Sequence, residues 1–217
     1  MVSLGLHILA TAVSFSLHAT ARQSLQGVNF PDPSVTFDPH TSRWFAFATQ
    51  GNDKNDQVAT SADLYGERSL FTNLGLLPVP DSSHHCIGVA TSPNITGPYT
   101  ARNHPFACPL SEGGAIDASG FFDQQSRSRW VVYKVDGSSK GTGGHCGNGD
   151  PPGFDTPIMM QRVSSEDGIT PLDVPVAILH RDADLDGPLV EAPSLIRHGV
   201  GRAAVYAVLL VPLLQLP

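Results

Sequence analysis

Charged side chains are scarce in this sequence, and basic ones are the minority among them. Only 15% of the 217 residues are charged, and 13 Lys and Arg stand against 20 Asp and Glu, for a formal net charge of -7. The basic face that a nucleic-acid partner requires is therefore not expected. Glycine and proline are numerous instead, with 21 and 18 residues. This composition favours one domain of many short strands joined by turns over a helical bundle.

Lysine and arginine are also missing from residues 1–21, which are rich in apolar side chains. Residues 1–17 match the apolar region of a signal peptide in length, and the small-x-small site Ala19-Thr20-Ala21 follows them, just before Arg22. We therefore expect residues 1–21 to be a signal peptide and the protein to be secreted and extracellular. A buried helix or a membrane anchor is the alternative for this segment.

Cysteine is rare and its count is odd, with Cys86, Cys108 and Cys146. An odd thiol is unexpected in a secreted chain. Cys86 and Cys108 lie in neighbouring strand-like segments and are candidates for a disulfide. Cys146 then lacks a partner in this sequence, or it is a buried free thiol. The triplet Asn94-Ile95-Thr96 is an N-glycosylation acceptor in a turn-rich stretch, which agrees with secretion.

One phrase occurs three times along the chain, each time with an acid at its start. Asp32 opens D-P-S-V-T-F, Asp117 opens D-A-S-G-F-F, and Glu191 opens E-A-P-S-L-I. Apolar segments begin 12, 13 and 12 residues after these acids, at Trp44, Trp130 and Ala203. Each unit is predicted to contain an acid, a small-residue turn, a short strand, a polar hairpin and a second strand. Further strands that resemble one another are predicted at 57–61, 87–92 and 158–164.

Repeated units of three or four strands indicate a β-propeller, an all-β fold built from blades. Because the innermost strand of each blade begins near the axis, the three acids are expected to converge at one mouth of the central channel. Converging carboxylates repel one another and lose hydration, so structure alone gives no reason to gather them. Glycoside hydrolysis does, since one carboxylic acid protonates the leaving oxygen and one carboxylate activates water. A β-sandwich also has many short strands, but it would not place an acid at the start of each unit.

The three acid motifs resemble those of glycoside hydrolase family 43. They read N-F-P-D-P-S-V, G-G-A-I-D-A-S-G-F-F-D and L-V-E-A-P-S-L, and H-H-C-I-G-V-A-T-S-P-N-I-T-G-P-Y is similar to a connecting stretch in secreted fungal members. The resemblance runs from about residue 29 to residue 198. It implies a five-bladed β-propeller that acts, with inversion, mainly on arabinose- and xylose-containing polysaccharides.

The resemblance also implies roles for the three acids. Asp32 is then the general base that activates water, and Glu191 is the general acid. Asp117 is the acid that tunes the pKa of the donor and orients the substrate. No organic cofactor and no catalytic metal are implied, and a calcium ion would be structural at most. We expect an oligo- or polysaccharide substrate, a monomer, and no nucleic-acid or membrane partner.

Two stretches depart from the family pattern. Residues 64–83 contain neither tryptophan nor the W-A-P-D-type segment that helps to shape the pocket in the family, and the chain stops at residue 217. We therefore expect residues 22–217 to form a partial catalytic domain, with about three blades plus part of another. Three alternatives stay open: a carbohydrate-binding propeller without catalysis, an inactive truncated fragment, and a retaining hydrolase of fructans.

Other residues are weaker candidates for a sugar site. Trp44 and Phe47 are expected in the core of a blade. His84 and His85 either line the site or belong to a loop, and the loop is favoured. Lys134 is within reach of a sugar hydroxyl but is expected to be solvated. A last group of acids resembles a calcium loop only faintly, because no glutamate closes it, and is predicted to be a polar loop: Asp182, Asp184 and Asp186.

Overall fold

The computed structural model describes residues 29–30, 34–48, 57–61, 69–71, 84–149, 153–198 and 204–208. Within these ranges the regular structure is β-strand, with three short 3₁₀ turns and no α-helix. No helix in the described part of the chain is long and apolar enough to cross a membrane. The predicted signal peptide, residues 1–21, lies outside these ranges.

The strands follow one another closely along the chain. In order they are β1 (Ser34–Asp38), β2 (Arg43–Ala48), β3 (Gln57–Ser61), β4 (Ser69–Phe71), β5 (Ala90–Thr91), β6 (Thr100–Ala101), β7 (Ala115–Asp123), β8 (Ser128–Val135), β9 (Ile158–Val163), β10 (Val176–Leu179), β11 (Ser194–His198) and β12 (Ala204–Val208).

The first sheet, β1 to β4, is an antiparallel meander in which each strand pairs with the next one along the chain. The β1–β2 hairpin places Asp38 opposite Arg43 at its closed end. All five residues of β3 are buried. This burial fits the position of β3 in the sheet, because it has a neighbouring strand on each side.

The second sheet, β7 to β10, is also an antiparallel meander, in the order β10-β9-β8-β7. β7 and β8 are the long strands of this sheet, with 9 and 8 residues. Residues 136–157 connect β8 to β9 and carry two of the 3₁₀ turns, Gly137–Lys140 and His145–Gly147. Two-stranded pairs, β5 with β6 and β11 with β12, complete the described sheets.

Three of the described turns are closed by an aspartate whose carboxylate bonds to a hydroxyl three residues later. The same carboxylates accept backbone N–H groups of the turn, which is how Asp stabilises a tight bend. Hydrogen bonds from the Thr170 hydroxyl and the neighbouring N–H groups lower the pKa of Asp167 to about 2. The aspartate and hydroxyl pairs are Asp38 with Thr41, Asp123 with Ser126, and Asp167 with Thr170.

A hydrophobic cluster joins the second sheet to the segment that precedes it. Its buried members are Ile87, Ala115, Tyr133 and Val135. Phe106 packs edge-on against Tyr133, with 6.3 Å between the ring centroids. Burial raises the pKa of the Tyr133 hydroxyl. The cluster therefore fixes the segment around Ile87 against the strand that begins at Ala115.

The cysteine predictions have clear outcomes. Cys86 and Cys108 form a disulfide, 22 residues apart in sequence, so this pairing is confirmed. Both cysteines adjoin members of the cluster, since Ile87 and Ala107 form an isolated antiparallel bridge. Cys146 is a free and exposed thiol, so the alternative of a buried thiol is wrong.

The fold predicted from the repeat is confirmed in its strands and antiparallel sheets. Two units are four-stranded meanders. That these units are blades of an incomplete five-bladed β-propeller stays a prediction. The strand expected over 87–92 is shorter in the structure, where Ala90–Thr91 pairs as a strand and Ile87 forms an isolated antiparallel bridge with Ala107. In place of the turn expected after Asp117, the structure has an irregularity in strand pairing between Ile116 and Ser119, within the strand that begins at Ala115.

Candidate active site

Asp117 lies at a break in the pairing of β7 with β8. Ile116 is opposite Lys134 and Ser119 is opposite Val132, so two residues, Asp117 and Ala118, share the space opposite one. Such a β-bulge turns a side chain out of the regular alternation of the strand. Asp117 has φ 57°, in the left-handed region, and it is exposed. The bulge therefore presents the carboxylate away from the core beneath it.

The glycines before β7 allow the strand to enter through a crowded gap. A Cβ on Gly113 would lie 2.3 Å from the Asp136 carbonyl oxygen, and one on Gly114 would lie 2.3 Å from the His85 carbonyl oxygen. Both glycines have positive φ, which other residues adopt only at a cost. The Ala115 N–H donates to the His85 carbonyl at 2.9 Å. The G-G-A-I-D motif thus fixes where β7 starts and where its bulge falls.

Buried polar side chains form hydrogen bonds with the segment that carries Glu191. The Val190 N–H donates to the Thr156 hydroxyl at 3.0 Å, and Thr156 is fully buried. The buried Asn148 amide donates to the Pro188 carbonyl at 2.7 Å and to the Phe154 carbonyl at 2.8 Å. These bonds give hydrogen-bond partners to three backbone groups, among them the N–H of the buried Val190. They attach residues 188 and 190, just before Glu191, to the connection between β8 and β9.

Two of the three predicted acids come together at this point. The Asp117 Oδ2 atom accepts a hydrogen bond from the Ala192 N–H at 3.1 Å. Ala192 directly follows Glu191 and has φ 54°. β11 lies beside β7, with Cα atoms within 8 Å. A contact between residues 75 positions apart thus links the second acid motif to the third.

A buried lysine lies beside Glu191. Lys134 Nζ is 3.3 Å from Glu191 Oε2 and 3.3 Å from Asp136 Oδ1. The Ser138 hydroxyl donates to the same Asp136 oxygen at 2.6 Å. The Lys134 side chain is 2% exposed and the Glu191 side chain is 35% exposed. The expectation that Lys134 is solvated is therefore wrong, because a carboxylate on each side compensates its buried charge.

The arrangement can bind and polarise an uncharged polar ligand. Asp117 and Glu191 offer carboxylate oxygens to a donor, and each is accessible from outside. Glu191 also contacts a cation, the ammonium group of Lys134. Among the described residues, no group of three or more His, Cys, Asp or Glu side chains is arranged to hold a metal ion.

The other predicted residues have different outcomes. Asp32 lies outside the described residues, although the neighbouring Asn29 carbonyl accepts a bond from the Gln57 amide at 2.8 Å. His85 lies outside the named strands and is exposed, and its Nδ1 is 4.0 Å from Asp136 Oδ2, the side chain that also contacts Lys134. Trp44 and Phe47 are half-buried. The polar loop is confirmed, with Asp182 accepting the Asp184 N–H at 3.0 Å.

Sequence reasoning missed the groups that support the two acids. Thr156, Asn148, Asp136 and Ser138 act through contacts with segments that are distant in sequence or through burial. Only the glycines before Asp117 carried a signal, since paired glycines before a strand mark a close approach of backbones.

Solved structures resemble this chain, although no protein-family model and no curated protein matches its sequence. A thermostable family-43 glycoside hydrolase superposes with a TM-score of 0.57 over 80% of this chain, at 20% identity. The fold is that of the family-43 glycoside hydrolases. An endo-arabinase from Bacteroides thetaiotaomicron VPI-5482 matches with a TM-score of 0.55 over 85% of this chain, at 14% identity.

This chain matches only part of the length of each similar structure. This chain spans 62% of the length of the thermostable hydrolase and 76% of the endo-arabinase. The chain therefore resembles family 43 both in its three acid motifs and in its fold. At these identities the likeness concerns the family-43 fold, and the chemistry depends on the site itself.

Proposed function

We propose that this chain is a secreted glycoside hydrolase that cleaves O-glycosidic bonds of arabinose- or xylose-containing plant polysaccharides or oligosaccharides, with inversion. The observation that carries the proposal is the hydrogen bond from the Ala192 N–H to the Asp117 carboxylate. It brings two acid motifs of family-43 type together on a chain with the family-43 fold. The two similar structures described above are named as a glycoside hydrolase and an endo-arabinase.

In the proposed reaction, the protonated Glu191 carboxyl gives its proton to the departing glycosidic oxygen. Asp32 removes a proton from a water molecule that attacks the anomeric carbon from the opposite face, so the configuration inverts. Asp117 orients the sugar and, as a nearby negative charge, favours the protonated form of the donor. The mechanism needs no organic cofactor.

The first experiment is hydrolysis of aryl arabinofuranosides and aryl xylopyranosides by the secreted chain, beside Asp32→Ala and Glu191→Ala. We expect turnover by the parent and a loss of at least about a hundredfold in each variant. Unchanged binding of oligosaccharides by a parent without turnover would instead indicate a carbohydrate-binding propeller.

The anomer of the first product tests the stereochemistry. An inverting enzyme releases the opposite anomer, which proton NMR detects before mutarotation. Retention with turnover of fructans would support the retaining hydrolase, whose carboxyl groups lie only about 5–5.5 Å apart.

Secretion is part of the proposal, with residues 1–21 as the signal peptide and residues 22–217 as the catalytic domain. The Cys86–Cys108 disulfide fits an oxidising compartment. Asn94 is exposed in a turn closed by the Gly97 N–H to Asn94 carbonyl bond at 2.9 Å, so it is accessible to a glycan. The secreted chain is expected to start at Arg22. It is also expected to carry a glycan that a glycosidase removes and that Asn94→Gln abolishes, as measured by mass spectrometry. Retention of residues 1–21 on the secreted chain would contradict it.

A further inference from the structure

Lys134 carries a positive charge that is almost completely removed from water. Its side chain is 2% exposed, on the strand β8 that pairs with a neighbour on each side. Removing an ammonium group from water is costly unless the group is paired and hydrogen-bonded. Its surroundings are therefore expected to supply both an opposite charge and hydrogen-bond acceptors.

The three N–H groups of the ammonium have three acceptors within reach. They are Glu191 Oε2 at 3.3 Å, Asp136 Oδ1 at 3.3 Å and the Ser138 hydroxyl at 3.4 Å. An ammonium group has three donors and no acceptor, so this set uses its full capacity. Two of the three acceptors are carboxylates, one on each of two separate segments of the chain.

The two carboxylates differ in burial. Asp136 is 9% exposed and accepts the Ser138 hydroxyl at 2.6 Å, so it is held in place within the fold. The Glu191 side chain is 35% exposed, and it can face a ligand while it contacts Lys134. The lysine thus ties an accessible carboxylate to a fixed one.

We propose that Lys134 is a positioning residue for Glu191 and that Asp136 is its counter-charge. The proposal rests on the proposed function, in which Glu191 donates a proton. An unopposed lysine would favour the ionised, non-donating form of Glu191. Asp136 offsets that effect, so Lys134 holds the Glu191 carboxyl in place and leaves it able to carry a proton.

Among the described residues, the charged groups around this site belong to several segments of the chain. Lys134 is on β8, Asp136 follows β8, and Glu191 precedes β11. The Asp117 carboxylate, on β7, bonds to the backbone next to Glu191. The His85 ring faces Asp136 at 4.0 Å and adds a positive charge only when it is protonated.

Two variants separate the attraction of the lysine from its counter-charge. Asp136→Asn keeps an Oδ1 acceptor for Ser138 but removes the negative charge. The pair Lys134→Met with Asp136→Asn removes both charges, so no lone charge is left buried. Lys140→Met is the matched control, because this exposed lysine bonds to a carbonyl, Ser111 O at 2.9 Å, rather than to a carboxylate.

The measurement is the pH profile of kcat/KM for an aryl pentoside. In Asp136→Asn the alkaline limb is expected to move to lower pH by about one unit, because Lys134 then acts on Glu191 alone. In the double variant the limb is expected to move the opposite way, and kcat is expected to fall about tenfold at unchanged KM, since the proton donor is less well placed. Lys140→Met should keep the parent profile.

A loss of folding alone cannot produce limbs that move in opposite directions. Urea unfolding of each variant checks that the fold persists, and if Asp136→Asn unfolds, the charge-neutral double variant decides. If the alkaline limb of both variants stays where it is in the parent, while Glu191→Ala still abolishes activity, this proposal is overturned and the proposed function stands. A parent without hydrolysis overturns both.

Discussion

At the scale of single residues, the site depends on backbone conformations that most side chains avoid. Asp117 and Ala192 both have φ in the left-handed region, and the Asp117 carboxylate accepts a hydrogen bond from the Ala192 N–H. Non-glycine residues with positive φ are uncommon and cluster at functional sites. Here they turn two acid motifs toward each other, which regular strands would not do.

Gly113→Ala tests how tightly this entry to β7 is packed. A Cβ at this residue would lie 2.3 Å from the Asp136 carbonyl oxygen, on a backbone with φ 104°. We expect a loss of about 2 kcal/mol or more in the free energy of unfolding, measured with urea. Gly120→Ala is the matched control, because no atom lies within 4 Å of its added Cβ, and its effect should stay within about 1 kcal/mol. Equal effects at the two positions would contradict the packing account.

At the scale of elements, three of the described turns share one device, an aspartate that binds a hydroxyl and backbone N–H groups of its own turn. The Thr41 hydroxyl and the His40 N–H lower the pKa of Asp38, and the corresponding bonds lower the pKa of Asp167 to about 2. A carboxyl whose pKa is lowered on folding stabilises the fold above its unfolded pKa. That contribution is lost as the pH falls toward the folded pKa.

Asp167→Asn tests this device. The pKa of Asp167 falls from 3.8, the ordinary value for an aspartate, to about 2 in the folded chain, so its contribution fades across that interval as the pH falls. We expect the urea midpoint of the parent to fall more steeply there than that of Asp167→Asn. Asp184→Asn, in the polar loop, should retain the parent slope. A variant that is as acid-sensitive as the parent would show that the turn aspartate contributes nothing.

At the scale of the whole molecule, the described chain contains two four-stranded meanders and a disulfide-bonded segment packed on the second of them. The packing cluster links Ile87 to Ala115 and Tyr133. The disulfide therefore stabilises the surroundings of the site as well as its own loop, because His85 contacts the start of β7 through its carbonyl.

Removal of the disulfide tests this link. Cys86→Ser with Cys108→Ser opens a loop of 22 residues, which is expected to lower the free energy of unfolding by about 3 kcal/mol. Urea unfolding measures the effect, with Cys146→Ser as the control for loss of a free thiol. A double serine variant as stable as the parent would contradict the structural role of the bond.

Local patterns in the sequence predicted the strands of the acid-led units, the strands near 57–61 and 158–163 and the candidate cysteine pair, because alternation, turn residues and spacing are properties of nearby positions. The strands β4, β6 and β10 were not predicted. The bulge at Asp117 and the burial of Lys134 could not be predicted in this way. The partner of Lys134, Glu191, lies 57 residues away, and its burial depends on how the connection after β8 folds. Asp32 stays a prediction from its motif alone.

The central claim, that Glu191 is the proton donor of a glycosidase, is tested most directly by varying the leaving group. The measurement is kcat/KM for phenyl and dinitrophenyl pentosides with the parent, Glu191→Gln and, as a control, Glu112→Gln in an exposed 3₁₀ turn. Glu191→Gln should lose about a hundredfold to ten-thousandfold on phenyl pentosides and far less on dinitrophenyl pentosides, because an acidic phenol departs without a proton. Equal losses on both substrates, or no loss on either, would contradict the assignment.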